Sequence, residues 1–412
     1  MTKRIGILTV GGDAPGQNVC LKSLVYSAIE RDYDVIGIRK GWEGLIQYDP
    51  ENSDTQSTTM MPLTKSRVRD VDRMPGSFLH TSRVQPDAVN PQTVPNFLQS
   101  ESPNRSSVDL TVHLKQVVSK LDLEALIVLG DNAGLRYAAR LSQEGVPIIG
   151  IPKTVHNNIA GSDYALGFST ALGRGVRFIN EIRAMAGSRE EIAVVEILGR
   201  DTGLTTMLIS FLAGADHTII PEVPFDPERL AQWMVNSKQN NPNNYAILVL
   251  SEAATISPGQ IIQYLPELSR LANSRVIAEA MQKSGEGLTS DLILFEMAQE
   301  LGSRACGSGA VVTEILENIT GQRMLFQPLS YLIRTGEPDG QDLLGALNFA
   351  TLATKLLAEG KTGRLVAYRQ RDNYLDLPMD TVLGPVTNVR INEFYDADDY
   401  RVKPGIFWAT RM

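Results

Sequence analysis

One recurring unit constrains this chain more than any other feature: a short apolar run, a turn rich in Gly, Asp, Asn or Pro, then a helical pattern. Such runs fall at 4–10, 34–38, 125–129, 147–151, 192–197 and 245–250. Leu126-Ile127-Val128-Leu129 and Val194-Val195 are continuous rather than alternating. A strand that is apolar on both faces has to be covered on both faces, which a parallel sheet flanked by helices provides. Helical periodicity fills the gaps, as at 18–31 and 170–185. The expected fold class is therefore α/β, with doubly wound, mainly parallel sheets. In such sheets ligands gather outside the carboxyl ends of the strands, so chemistry belongs in the turns that follow them.

At about 150 residues per domain, a chain of 412 residues implies two or three domains, and 43% hydrophobic residues supply their cores. Forty-seven acidic side chains against 39 Lys and Arg leave a net charge of −8. That balance argues against nucleic acid or an anionic membrane as partner, while allowing a small basic pocket within a cleft. Cys20 and Cys306 stand in no metal or redox spacing, so a reducing compartment is expected. No run approaches the roughly 18 apolar residues of a membrane span, and the first residues lack the order of a signal peptide. A soluble cytoplasmic protein is expected. Segments 50–67 and 84–108 break the rhythm, the second with Pro86, Pro91, Pro95 and Pro103. Both read as solvated surface insertions or as contacts for a partner.

Five turns carry candidate chemistry. Gly11-Gly12-Asp13-Ala14-Pro15-Gly16 has the Gly-x-x-x-x-Gly part of a phosphate loop, but Gln17-Asn18 stand where such a loop needs Lys and Ser or Thr. Adjacent glycines let backbone N–H groups approach an anion, and the following helix offers its positive end. The residues alone fit either a phosphate cradle or a plain strand-to-helix turn. In Gly130-Asp131-Asn132-Ala133-Gly134, Asp131 is the one carboxylate available to Mg²⁺, which takes hard oxygen ligands. In Pro152-Lys153-Thr154-Val155-His156-Asn157-Asn158, Lys153 can neutralise a phosphate, and His156 is either a general base or a hydrogen-bonded structural residue. His80, His113 and His217 show no metal spacing with it. Arg200, after Leu198-Gly199, can reach an anion, and Glu252, after 245–250, can hold sugar hydroxyls. Either can equally form a surface ion pair.

Together these turns resemble the phosphofructokinase family. The similarity follows the same order over almost the whole chain: residues 5–18, Gly150-Ile151-Pro152-Lys153-Thr154 through Gly167-Phe168, Val195-Glu196-Ile197-Leu198-Gly199-Arg200, Pro221-Glu222-Val223-Pro224-Phe225, Ser251-Glu252, and Tyr331-Leu332-Ile333-Arg334-Thr335-Gly336. The resemblance implies two α/β domains facing across a cleft. Residues 1–167 with 333–383 would take the phosphoryl donor, and 168–332 with 384–412 the sugar phosphate. It also implies a homo-oligomer, dimer or tetramer, or a hetero-oligomer with an active homologue. The family's reaction moves a phosphoryl group from ATP or pyrophosphate to the 1-hydroxyl of fructose 6-phosphate, with Mg²⁺. Carried over by position, Gly11, Gly12, Arg83, Lys153 and Asn132 would meet the donor. Leu198, Gly199, Glu252, Tyr331 and Arg334 would meet the sugar, and Thr154, His156 and Arg200 the reacting groups. Lys153 is similar to the lysine of the pyrophosphate branch. Ala133 stands where that branch carries Asp and the ATP branch Gly, so the donor signals conflict.

The departures concentrate where the charge matters most. Asn132 stands at the family's metal-binding aspartate, His156 at the aspartate that takes the sugar hydroxyl's proton, and Asn158 at a second aspartate. Glu191 and Leu325 stand at two arginines that reach the 6-phosphate from a neighbouring subunit. General-base assistance contributes about 10²–10⁴ in rate, and metal charge several kcal/mol more. A carboxylate facing a phosphate in a poorly screened cleft repels it. The expectation is a regulatory, structural or ligand-binding homologue whose transfer to fructose 6-phosphate is lost or strongly weakened. The alternative is an active ATP- or pyrophosphate-dependent sugar phosphotransferase with a rebuilt site: His156 as base, Asp131 as metal ligand and Lys153 as phosphate clamp.

Overall fold

A computed structural model describes residues 3–99, 107–199, 202–256, 260, 263–266, 308–386 and 388–405. The chain divides into two compact units, Met1–Ala171 with Arg334–Val386, and Leu172–Ile333 with Thr387–Met412.

In the first unit, β1 (Lys3–Val10), β2 (Tyr33–Ile38), β3 (Met60–Pro62), β4 (Ala125–Gly130) and β5 (Ile148–Pro152) are joined by the late strands β10 (Arg364–Arg369) and β11 (Asn373–Pro378). Their order is β11-β10-β5-β4-β1-β2-β3. Strands β10, β5, β4, β1 and β2 run parallel, with β3 and β11 antiparallel at the two edges. The chain leaves β1 for β2 on one side and continues on the other with β4, so the winding reverses between β1 and β4. Helices α1 (Gln17–Ile29), α2 (Trp42–Gln47), α3 (Ser53–Thr59), α4 (Thr111–Lys120), α5 (Asn132–Gln143) and the late α10 (Gly340–Ala358) belong to the same unit. Every residue of β4 and β5 is buried, as their continuous apolar runs demand. Leu8, Val10, Leu126, Val128, Leu135 and Ile148 share one core, with Trp42 edge-on to Tyr137 at 5.2 Å between ring centres.

The second unit holds β6 (Ile192–Ile197), β7 (His217–Ile219), β8 (Ala246–Ser251) and β9 (Met324–Pro328), all parallel in the order β7-β8-β6-β9. Its helices are most of α6 (Phe168–Arg189), then α7 (Leu204–Ala213), α8 (Pro227–Asn240), α9 (Gly309–Thr320) and α11 (Ile391–Phe394). A small antiparallel pair, β12 (Tyr395–Asp396) with β13 (Arg401–Val402), completes it. Val194, Leu248, Leu230, Val311 and Ile315 fill its core. No helix among the described residues is long and apolar enough to cross a membrane.

The two segments read as insertions are more ordered than their composition implies. Within 50–67 lie α3, capped by Asn52, and the edge strand β3, with Leu63 buried behind it. Within 84–108, Val89 and Val108 form an antiparallel bridge with reciprocal 2.9 Å hydrogen bonds, and Val89 and Val94 enter the core. Valines at the right spacing outweigh the polar residues between them.

Asp342, fully buried in the first turn of α10, is a tertiary knot in the first unit. Its carboxylate accepts from the N–H groups of Gly167 (2.7 Å) and Thr170 (2.9 Å) and from the hydroxyls of Thr170 and Tyr164. Asp342→Ala would leave those N–H groups buried without an acceptor. A loss on the order of 3 kcal/mol is expected in urea unfolding monitored on the full chain. A change below about 1 kcal/mol would show that the knot is dispensable.

Candidate functional site

Three neighbouring strands deliver the first cluster. Val10 lies opposite Gly130, and Gly130 opposite Pro152, so the turns after β1, β4 and β5 leave the same edge of the sheet where its winding reverses. Gly11 has φ +81, and a Cβ there would lie 1.9 Å from Asp131 Oδ2. Glycine is required both by the backbone and by the carboxylate against it. Asp131 caps α5, its Oδ1 accepting from the Gly134 N–H at 3.0 Å. Asn132 is the first residue of that helix. Lys153 donates its backbone N–H to Gly130 O (2.9 Å) and its Nζ to Gly12 O (2.6 Å), with the whole side chain buried. Burial lowers its pKa to about 8; Asp131 and Asp13 oppose that shift, while Arg334 and Arg83 reinforce it. Nη1 of Arg334 and Nη2 of Arg83 stand 2.7 and 3.3 Å from where a Cβ on Gly12 would be. Three cations therefore meet around one peptide unit.

Arg334 also reaches His156, Nη2 to Nε2, at 3.0 Å. A guanidinium only donates, so Nε2 accepts and the ring proton sits on Nδ1. While that pair stands, Nε2 has no lone pair for a substrate hydroxyl's proton. Thr154 is buried, its N–H on Leu166 O (3.0 Å) and its Oγ1 accepting from the His156 N–H (3.2 Å). Asn157, at φ +50, ties the turn to Asp163 O through its Nδ2 (3.0 Å), and Asn158 is buried beside it. Arg83 closes the 77–83 loop, which Gly11 N–H to Ser82 O (3.1 Å) and Thr81 Oγ1 to Gly11 O (2.6 Å) stitch to the β1 turn. Its side chain is exposed and makes no hydrogen bond or ion pair with a described residue.

Gln17 and Asn18 are not phosphate ligands by geometry. Both are buried, donating to Gly76 O (3.0 and 3.1 Å), and Asn18 also donates to Met74 O (2.9 Å) and accepts from the Phe78 N–H (3.0 Å). They anchor the loop that leads to Arg83.

In the second unit, the carboxyl ends of β6 and β8 bring Leu198, Gly199 and Glu252 together. The Gly199 N–H points to Glu252 Oε1 (3.4 Å), and Ser251 Oγ donates to Gly199 O (2.8 Å). Tyr331 belongs to the same unit and is 66% exposed. Arg334, expected with these sugar contacts, lies in the first unit with Gly12 and His156. Arg200 lies outside the described residues. Glu191, at the opposite end of β6, lines a surface cavity of about 370 Å³ with Lys238, Gln239, Asn244, Gln322 and Arg323. Leu325 sits in β9 opposite Ala193. Sequence reasoning missed Glu196, buried in β6 with Oε2 accepting from the Gly309 N–H at the start of α9 (2.8 Å). Its sole signal was a carboxylate inside an otherwise apolar run.

The donor set around Gly12 does not fit a resident Mg²⁺. One oxygen of Asp131 is committed to a helix cap, Asp13 accepts from the Gln17 side-chain amide (3.3 Å), Asn132 is neutral, and three cations already surround the turn. Among the described residues no group of three or more His, Cys, Asp or Glu gathers as metal ligands.

A Phosphofructokinase family profile matches residues 4–357. The ATP-dependent 6-phosphofructokinase of Chloroflexus aggregans is 30% identical over 388 residues, covering 94% of this chain and 93% of that protein. Its counterpart from Sulfurihydrogenibium sp. is 27% identical over 393 residues, covering 95% and 97%. Among solved structures, the pyrophosphate-dependent phosphofructokinase of Marinobacter aquaeolei is similar with a TM-score of 0.70 and 15% identity, covering 97% of this chain and 88% of that one. At that identity the likeness concerns the fold: two α/β units with parallel-dominated sheets.

Lys153 gives a signed pH dependence. Unfolded, its ammonium keeps the proton up to the ordinary 10.5; folded, it releases it near 8. Between these values the unfolded chain binds more protons, so stability rises with pH. Below pH 8 the buried charge costs on the order of 3 kcal/mol. Lys153→Met should flatten the pH 8–10 limb of the stability curve relative to the parent, measured by urea unfolding. Parallel limbs would mean that the ammonium is not buried.

Proposed function

Because this chain belongs to the phosphofructokinase family, we propose that it keeps the family's phosphate-holding turn while transfer to fructose 6-phosphate is lost or strongly weakened. The observation that carries this reading is the His156–Arg334 pair: a nitrogen already accepting from a guanidinium stands where a carboxylate base would be needed. Asn132 and Asn158 extend the loss. In this proposal the first unit takes the donor's phosphates through Gly11, Gly12, Arg83 and Lys153. The second takes a sugar phosphate through Leu198, Gly199, Arg200, Glu252 and Tyr331. Relatives named for ATP and a structural neighbour named for pyrophosphate both exist; Lys153 favours pyrophosphate, while the small Ala133 leaves room for a nucleotide. The chain's own residues bind and orient a phosphate; among the described residues of this turn, none is placed to remove the acceptor's proton. The protein then acts in the cytoplasm as a ligand-binding or regulatory member of a homo-oligomer, or of a hetero-oligomer with an active homologue.

A coupled assay of fructose 6-phosphate with ATP or pyrophosphate and Mg²⁺ tests this directly. Turnover about 10³-fold or more below that of an active relative is expected, and ordinary turnover would overturn the reading. Combining Asn132→Asp, His156→Asp and Asn158→Asp should raise any residual rate by about 10²-fold. Substantial parental turnover abolished by His156→Ala would instead favour the rebuilt site with Asp131 as metal ligand.

A further inference from the structure

We propose that the first unit binds a polyphosphate anion free of divalent metal, with Lys153, Arg83 and Arg334 supplying the countercharge that a magnesium ion supplies elsewhere. This rests on the phosphate-holding reading of the turn and adds which ionic form the turn selects. Three observations converge on it. The three side chains meet at Gly12, one hydrogen-bonded to its carbonyl and two against its Cα, so an anion arriving there faces fixed positive charge from three directions. Asp131 and Asp13 are the carboxylates that chiefly act on Lys153, and an oxygen of Asp131 is spent on the Gly134 N–H. His156 accepts from the Arg334 fork through Nε2, and an imidazole at that position adds no negative charge beside the guanidinium.

Charge then decides the ligand. A magnesium–polyphosphate complex is less anionic than the free polyphosphate by the whole charge of the ion, while its metal would be brought beside three cations. Repulsion from three cations, in a partly buried turn, outweighs what Asp13 and the half-committed Asp131 return. The free anion brings no positive charge to the turn and is attracted by all three cations, against the repulsion of Asp13 and Asp131. Arg83 is poised to close on it: exposed, without a side-chain partner among the described residues, and carried by a loop fastened to the turn at Gly11.

The test is isothermal titration of the full chain with inorganic pyrophosphate at pH 7, once with EDTA and once with Mg²⁺ in excess. Binding in EDTA should be at least about tenfold tighter, because excess metal withdraws the free anion. Arg83→Ala, at an exposed position whose loss leaves the fold intact, should weaken the EDTA titration about tenfold or more. Raising the pH from 7 to 9 should also weaken it as Lys153 gives up its proton. Binding that requires Mg²⁺, or that is indifferent to Arg83→Ala, overturns the inference and leaves the loss of transfer standing. Absence of binding in both titrations overturns the phosphate-holding reading as well. Ordinary turnover in the coupled assay, with metal-free binding intact, overturns only the loss of transfer.

Discussion

The buried ammonium of Lys153 on the carbonyl of Gly12 is the contact on which the first unit's loop end depends. A charge taken wholly out of water is unfavourable unless its protons and its field are answered. Here one proton is answered by the Gly12 carbonyl and the field by Asp131 and Asp13. That arrangement dictates the neighbours. Asp131 can come close only because Gly11 has no Cβ, and it is held there because the same carboxylate caps α5. A strand end, a glycine, a cap and a lysine from three different strands are thus one electrostatic unit.

Asn132, His156 and Asn158, which stand where the resemblance implies carboxylates, act on that unit in one direction on the proposed reading. With a carboxylate at 156, Arg334 would form an ion pair, its charge cancelled and the carboxylate free to act as base. An imidazole accepting through Nε2 gives up the basic lone pair and brings no negative charge to the guanidinium. Asn132 and Asn158 change the balance in the same sense. On the proposed reading, loss of a base and of metal ligands and gain of net positive charge are one physical event seen from two sides, which makes anion binding consistent with weakened transfer. In the second unit the carboxyl ends of β6 and β8 keep Gly199 and Glu252 in contact.

Much of the architecture was legible because buried parallel strands leave little choice of residue. The runs at 125–129 and 192–197 had to be apolar on both faces, and they emerge as β4 and β6 with boundaries shifted by at most one residue. The edge strand β3 and the valines that anchor 84–108 escaped notice because a half-covered strand or a single bridge needs only one or two apolar residues. At the site, the turn positions were legible, and the partnerships were not. Gln17 and Asn18 looked like a degenerate phosphate loop, yet their amides bind a loop some sixty residues later (separations of 59 and 58 for the bonds to Gly76).

The sequence by itself determined the α/β class, the parallel sheets, the family resemblance and the absence of carboxylates at 132, 156 and 158, because each is written in local composition or in a motif's own letters. Only the tertiary structure decided what replaced those carboxylates. Arg334 and His156 are 178 positions apart and meet only because the chain returns to its first unit after completing the second. Charge acts through space, and which charges share a space is settled by the path of the fold.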